Sequence, residues 1–153
     1  MDIKILKKVQ FFDTLTDDEL KEVMSVSNKE DFKEGAKLFS EGDKGDKFYV
    51  ILSGAIRISK NIPGIGEEAL SVLRPGNYFG EMALIEDVPR SADAIIHEDA
   101  SLMSVSKGDL EKLMERNIEL GNKILWKFVG TLSQRLRETN DKIRSFFAMT
   151  GGF

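Results

Sequence analysis

The segment 79–92 combines two residues of opposite charge with a glycine and a proline turn, and its sequence is FGEMALIEDVPRSA. Gly80 leaves the neighbouring backbone N–H groups approachable, and the run 81–85 can form one or two helical turns whose amino end suits a phosphate. Arg90 follows the proline, and its guanidinium can donate to two phosphate oxygens at once. The spacing therefore predicts an anion-binding site built from backbone donors and one arginine.

Glu81 lies inside this predicted site, where a carboxylate would repel a ligand that is only an anion. The repulsion is offset when the ligand also brings hydroxyl donors, and a ribose 2′-OH is such a donor. Phosphate and ribose on one small ligand indicate a nucleotide. The alternative is that Glu81 and Arg90 form a structural ion pair and bind nothing.

The sequence gives no support for catalysis. His97 is the only histidine and there is no cysteine, so neither a histidine-rich metal centre nor a thiol nucleophile is expected. Hydrolysis of a bound cyclic phosphate would require metals held by several carboxylates or imidazoles, and the site offers Glu81 alone. We expect no enzyme activity, no metal and no cofactor.

The bulk composition is that of a folded protein of 153 residues, enough for one domain. The net charge of −4 disfavours a nucleic-acid partner, since such domains usually carry a basic face. No apolar run approaches the roughly 20 residues of a membrane span, and the amino terminus lacks a signal-peptide pattern. We expect a cytoplasmic protein that contacts neither nucleic acid nor membrane.

The region that must position the site is rich in β-formers. From residue 32 to 73, short apolar runs alternate with turns that contain glycine. The predicted strands are 37–39, 48–52, 55–58 and 69–73, followed by 92–96 and 101–105. Many short strands at nearly even spacing predict a sandwich or barrel.

Helices are predicted ahead of this region. Thr16 and Glu19 have the spacing of a capping box, in which two side chains cap backbone N–H groups reciprocally at a helix start. The stretch before them is either a further helix or, around Phe11-Phe12, an extended segment docked on the body. Its apolar residues at helical spacing are Ile3, Leu6 and Val9.

A long helical pattern follows Lys107 and contains no proline. It includes an apolar seam with the spacing of a heptad repeat, formed by Leu125, Val129, Leu132, Leu136, Thr139, Ile143 and Phe146. Such a seam predicts pairing with a second copy of the same helix, and the alternative is that the stripe lies on the β body. Trp126 lies one position off the seam and is predicted to anchor the helix to that body.

The strings FGEMALI and PRSA resemble the phosphate-binding cassette of the cyclic-nucleotide-binding domain family, which includes bacterial catabolite activators and kinase regulatory subunits. The runs 39–43 and 45–54 are similar to the β-roll turns of that family, and 73–76 to its approach to the cassette. The resemblance implies an α+β, mainly β fold. The body would be a double-stranded β-helix, or jelly-roll-like β-roll, with N-terminal helices, a short phosphate-binding helix and a long C-terminal lid helix.

The same resemblance divides the chain and assigns its site. It implies an N-terminal helical segment 1–30, a β-roll core 31–106 with the cassette at 79–92, and C-terminal lid and dimerisation helices at 107–153. The implied ligand-binding residues of the core are Leu73, Phe79, Gly80, Glu81, Met82, Ala83, Arg90 and Ser91. Arg90 would clamp the cyclic phosphate with backbone donors from 80, 82 and 83, and Glu81 would accept a hydrogen bond from the ribose 2′-OH.

The choice of base depends on two further regions. Ser91 would contact the phosphate or the base, and serine at this position occurs in cAMP-binding relatives, although its hydroxyl can also bind the guanine amino group. The run 135–143 resembles the dimerisation helix of the catabolite activators, in which a Thr-Ser pair holds the purine across the dimer. The matching residues are Thr139 and Asn140, and Thr139 would also set the register of the seam. Asparagine both donates and accepts, so cAMP is favoured and cGMP remains an alternative.

Two hypotheses for function follow. In the first, a homodimeric sensor binds the cyclic nucleotide and moves its C-terminal helix, signalling to an unknown protein effector. In such activators a helix-turn-helix domain follows the long helix, and none follows here, so we do not expect direct DNA binding. The chain would then be a stand-alone sensor or the sensor part of a longer transcription regulator. In the second, it is a ligand-free dimerising scaffold.

Overall fold

The computed structural model describes residues 2–151. Met1, Gly152 and Phe153, which the segments 1–30 and 107–153 include, lie outside the described residues. The helices are α1 (Ile3–Lys7), α2 (Asp17–Ser25), α3 (Met82–Ile85), α4 (Lys107–Arg116) and α5 (Ile118–Met149), with a 3₁₀ turn at Gln10–Phe12. The strands are β1 (Ser27–Phe32), β2 (Lys37–Phe39), β3 (Lys47–Ile62), β4 (Gly66–Leu73), β5 (Tyr78–Phe79) and β6 (Asp93–Ser106). The predicted mainly β fold with flanking helices and a long final helix is confirmed.

Two long strands organise the sheet. β3 and β6 pair with each other, and each pairs with different short strands along its length: β6 with β1 and β2, and β3 with β4 and β5. All of these pairings are antiparallel. Because the partners change along each long strand, the sheet closes into a roll around its own apolar face.

The prediction of separate short strands at 48–52 and 55–58 is wrong, because both runs belong to β3. The runs 92–96 and 101–105 likewise lie in the single strand formed by β6, apart from residue 92. Gly54 was interpreted as a turn, but it has φ +80° within a strand whose register against β6 shifts on both sides of Ser53. A Cβ at Gly54 would lie 2.2 Å from the carbonyl oxygen of Asp99, so glycine lets the two strands bulge without separating.

The N-terminal segment packs against the roll and α5. The capping box of α2 is confirmed, since the Glu19 N–H donates to Thr16 Oγ1 at 3.2 Å and the Thr16 N–H donates to Glu19 Oε1 at 2.9 Å. Phe11 lies in the 3₁₀ turn instead of the extended segment that was the alternative. Its ring centroid is 4.7 Å from that of Phe128 and 4.8 Å from that of Tyr78, so aromatic contacts join the segment to α5 and β5.

Helix α5 has buried residues only near its start, among the residues the structure describes. Its buried residues are Leu120, Gly121, Ile124 and Phe128. The prediction that Trp126 anchors the helix is wrong, because its side chain is 70% exposed. Ile124 and Phe128 are buried against the body, whereas Trp126 lies at the edge of a groove that Phe11 and Tyr78 also line. None of the helices among residues 2–151 is long and apolar enough to cross a bilayer.

Candidate ligand-binding site

Gly80 forms the turn between β5 and α3 and brings the cassette close to Arg90. It has φ +80°, a conformation that side chains with a Cβ rarely adopt. A Cβ here would lie 2.7 Å from Arg90 Nη1 and 2.9 Å from the Lys47 carbonyl oxygen. Glycine is therefore required both by the backbone conformation and by the space that the guanidinium occupies.

Arg90 is held inside the protein by backbone groups. Its side chain donates from Nη2 to the Lys47 carbonyl oxygen at 2.8 Å and from Nη1 to the Gly80 carbonyl oxygen at 3.4 Å. Its own N–H donates to the Asp43 carbonyl oxygen at 2.7 Å, and its carbonyl accepts from the Gly42 N–H at 2.8 Å. The loop before β3 thus fixes both ends of this residue.

The electrostatic setting of Arg90 favours an added anion. The residue is 8% exposed, and its buried Nε has no hydrogen-bond acceptor among residues 2–151. Burial lowers the pKa of Arg90, while Tyr49, Asp46 and Asp43 act against that shift. A buried cation with an unpaired donor is costly unless an anion satisfies it, so the arrangement suits a phosphate.

Glu81 is 2% exposed and pairs with a residue that sequence reasoning missed. Its carboxylate accepts a hydrogen bond and forms an ion pair with Arg135 from α5. No ion pair joins Glu81 to Arg90 in the described part of the chain, so the alternative of a structural pair between these two residues is wrong. Arg135 lies one helical turn before Thr139, but no pattern in the sequence shows that α5 crosses the cassette at this point.

A cavity of about 460 Å³ lies between the cassette, the roll and α5. Of the predicted site residues, the structure places these on its wall: Leu73, Phe79, Gly80, Glu81, Met82, Ala83, Arg90 and Ser91. Thr139 and Asn140 are exposed on α5 and are not part of that wall. The helix instead contributes Arg135, Glu138 and Lys142. One chain therefore brings together the residues predicted to bind phosphate and ribose, but not the two residues predicted to contact the base.

The amino end of α3 differs in one respect from the expectation. The Ala83 N–H donates to the Gly80 carbonyl oxygen at 3.3 Å, which closes the turn before the helix. The backbone donor predicted for residue 83 is thus partly used inside the protein. No cluster of histidine, aspartate or glutamate that could hold a metal occurs in the described range, and His97 lies beside Arg57, with Nδ1 3.1 Å from Nη1.

The chain is similar to regulatory proteins of several kinds. The cyclic nucleotide-binding domain model matches residues 29–117. The cyclic AMP receptor protein of Thermus thermophilus is 30% identical over 135 residues, which cover 88% of this chain and 61% of that protein. A cGMP-dependent protein kinase of Toxoplasma gondii is 34% identical over 122 residues, covering 75% of this chain and 12% of the kinase.

Solved structures show the same architecture. A cyclic nucleotide-binding domain from Methylobacillus flagellatus superposes with a TM-score of 0.80 at 29% identity, covering 93% of this chain and 80% of that one. The chain spans about half the length of curated bacterial regulators that it matches. The β-roll, the cassette and the sequence match over residues 29–117 agree, and the chain belongs to the cyclic nucleotide-binding domain family.

Proposed function

We propose that this protein is a sensor that binds a cyclic nucleotide, with cAMP preferred over cGMP, in the cavity between the cassette and α5. One observation carries the proposal: the buried guanidinium of Arg90, with its unpaired Nε, and the buried carboxylate of Glu81 line the same cavity. A ligand that brings both a phosphate and a hydroxyl donor complements these two groups.

Each ligand group has a counterpart on the cavity wall. Arg90 would donate to the cyclic phosphate, helped by backbone N–H groups of Gly80, Met82 and Ala83, and Ser91 would donate from the rim. Glu81 would accept the ribose 2′-OH. In this arrangement the protein binds the ligand and performs no reaction on it.

The base preference is the less constrained part of the proposal. Both a cyclic AMP receptor protein and a cGMP-dependent protein kinase are similar to this chain. The Ser91 hydroxyl is compatible with either purine. We favour cAMP because the family resemblance associates a serine directly after the cassette arginine, here Ser91, with cAMP binding.

Signalling would pass through α5. Glu81 already accepts a hydrogen bond from Arg135 of that helix, so the ribose hydroxyl and α5 would meet at one carboxylate. A ligand shifts a conformational equilibrium only through unequal contacts with the two states, and this shared carboxylate offers such a contact. We propose that occupancy changes the position of the helix.

The seam of α5 supports the homodimer part of the proposal. Its apolar members Leu125, Val129, Leu132, Leu136, Ile143 and Phe146 are all exposed, from 37% to 62%. Pairing with a second copy would bury them, and would bring Thr139 and Asn140 towards the partner's cavity. In this proposal residues 1–30 form the N-terminal helical segment, 31–106 bind the ligand, and 107–153 form the lid and the dimer contact.

The proposed downstream step is a contact with a protein effector, in a cytoplasmic setting that the cysteine-free sequence suits. Because curated bacterial relatives are about twice as long, a sensor part of a longer transcription regulator is the second candidate. A ligand-free dimerising scaffold is the third, and it predicts no response to nucleotide.

Calorimetric titration of the refolded, nucleotide-free protein with cAMP and cGMP tests the proposal. We expect saturable binding that Arg90→Ala weakens by at least about 30-fold, because the phosphate loses its charged partner. Arg57→Ala is the matched control, since Arg57 pairs with Glu67 at 2.5 Å and lies outside the cavity wall. Absence of heat with both nucleotides would leave the scaffold as the better explanation.

A further inference from the structure

An aromatic group supports the guanidinium of Arg90 on the side of β2. The Cζ atom of Arg90 lies 4.1 Å from the ring centroid of Phe39 and 6.0 Å from that of Tyr49. The Phe39 ring is half-buried and lies 6.2 Å from Tyr49 and 6.1 Å from Phe79, which stack on each other at 5.1 Å. The three rings come from β2, β3 and β5, so three strands of the roll fix the position of the ring group.

The contacts of Arg90 show what this ring group adds. Its guanidinium has five N–H donors, and two bond to the carbonyl oxygens of Gly80 and Lys47. Asp43 and Asp46 favour its charge from a distance, but it forms no ion pair within residues 2–151. The face of the Phe39 ring is therefore the closest stabilising partner that this buried cation has besides two carbonyls.

A ring face and two in-plane hydrogen bonds constrain a guanidinium in complementary ways. The carbonyl oxygens of Lys47 and Gly80 fix two donors at its edge, and the ring fixes the tilt of its plane. The orientation of the remaining N–H donors, including that of Nε, is then fixed. Both Arg90 and Phe39 line the cavity. A guanidinium held in this way loses less conformational freedom when it forks onto a phosphate.

We propose that Phe39 is a positioning residue for nucleotide binding, because its ring holds the guanidinium of Arg90 in the orientation that receives the cyclic phosphate. The inference rests on the proposed function and adds a residue to which the sequence assigned no role. It predicts that the ring acts on the phosphate alone, so its removal weakens cAMP and cGMP by the same factor.

The experiment measures the affinity of the full chain for cAMP and cGMP by calorimetry in a set of variants. Phe39→Leu keeps an apolar side chain but removes the ring face, and we expect both affinities to fall by about 2- to 30-fold. Phe39→Tyr keeps the face and is expected to restore binding. Phe32→Leu is the matched control, because Phe32 packs against the same apolar cluster and does not line the cavity.

A second series separates electrostatics from shape. Phenylalanines with one, two and three ring fluorines at position 39 have nearly the same shape but a progressively weaker negative face. We expect affinity to fall stepwise along the series, and the unliganded protein to lose some thermal stability as well, because the same ring face stabilises the buried cation before the ligand binds. If affinity does not change with fluorination, or if Phe32→Leu lowers affinity as much as Phe39→Leu does, the Phe39 ring contributes only packing.

The outcomes also separate this inference from the proposed function. If the wild type binds and Arg90→Ala abolishes binding while every Phe39 variant binds like the wild type, the sensor stands and the positioning role of Phe39 is rejected. If the wild type binds neither nucleotide, the proposed function is rejected and the inference that rests on it is rejected with it.

Discussion

The cassette and the second half of α5 would supply the two parts of the nucleotide site, and they differ in how completely one chain builds them. In the cassette, Glu81 and Arg90 are 2% and 8% exposed and lie on one cavity wall. On α5, Thr139 and Asn140 are exposed and lie off that wall, and the seam residue Leu136 is 62% exposed. The residues proposed to bind phosphate and ribose are thus brought together in a single chain, whereas those proposed to contact the base are not.

The difference has a physical origin. The cassette is fixed by main-chain bonds to neighbouring strands and loops, as at Arg90, and such contacts are complete in one folded chain. The distal half of α5 turns polar side chains to the cavity, and its apolar side chains are left exposed. A second copy would cover them, and the Arg135–Glu81 pair joins the two regions.

The largest effect is expected at the seam. Leu136→Glu would place an unpaired carboxylate from each copy in the helix pair, and we expect the dimer dissociation constant to rise by at least about 100-fold. Sedimentation equilibrium measures the dimer dissociation constant. Trp126→Glu is the control, because Trp126 is 70% exposed but lies off the seam. A wild type that sediments as a monomer at micromolar concentrations would contradict the proposed pairing.

The next effect tests the ribose contact in the cassette. Glu81→Ala should reduce cAMP affinity by about 10- to 100-fold, since a hydrogen bond to a buried carboxylate is lost. It should also remove the preference for cAMP over 2′-deoxy-cAMP, which lacks the donor. Calorimetry with both ligands measures the preference, with Glu86→Ala as the exposed control at the end of α3. A preference that survives Glu81→Ala would assign the hydroxyl to another residue.

A third effect, on stability instead of affinity, concerns how tightly the cassette is packed. Gly64 and Gly80 both have φ +80°, but an added Cβ meets nothing within 4 Å at Gly64 and meets Arg90 and Lys47 at Gly80. Gly64→Ala should cost about 1 kcal/mol of unfolding free energy for its backbone conformation. Gly80→Ala should cost about 1–3 kcal/mol more, because the guanidinium must move. Urea denaturation measures both unfolding free energies. Equal losses in the two variants would mean that the Arg90 side chain moves aside at no cost.

The sequence predicted the parts of the molecule that local patterns encode. The cassette strings located the wall residues 79–83, Arg90 and Ser91, and the run 73–76 located Leu73. The Thr16–Glu19 spacing located the start of α2. The glycine at position 54 was misinterpreted as a strand end, because a bulge and a turn use the same residue type. Which of the two forms depends on the partner strand, and here the Asp99 carbonyl lies against it.

The remaining errors concern α5, whose periodicity gives a helix but not its orientation on the body. The prediction for Trp126 failed because the buried stripe is set by Ile124 and Phe128. Arg135 was missed for the same reason, since its contact with Glu81 joins residues far apart in sequence. The functions of Thr139 and Asn140 remain predictions, because they depend on a second copy.

The smallest predicted effect concerns the start of α5, where Lys123 donates to Glu19 at 2.6 Å. Burial opposes ionisation of this carboxyl, but hydrogen bonds from Lys123 and Thr16 outweigh it and lower the pKa of Glu19 below its usual 4.5. The ionised form is therefore favoured by folding, and its stabilisation is present above that pH and lost as pH falls through the lowered pKa. Glu19→Gln keeps the cap acceptor but removes the charge.

We therefore expect Glu19→Gln to be less stable than the wild type at pH 7, by about 1 kcal/mol or less. The difference should close as the pH falls below 4.5. Urea denaturation between pH 3 and 7 gives the comparison, using pH values chosen around the usual carboxyl range. Asp18→Asn is the control, since Asp18 is exposed and its nearest cation, on Lys21, is 3.9 Å away. A constant difference across this range would mean that the Lys123 contact does not select the ionised carboxylate, and that packing alone fixes the start of α5.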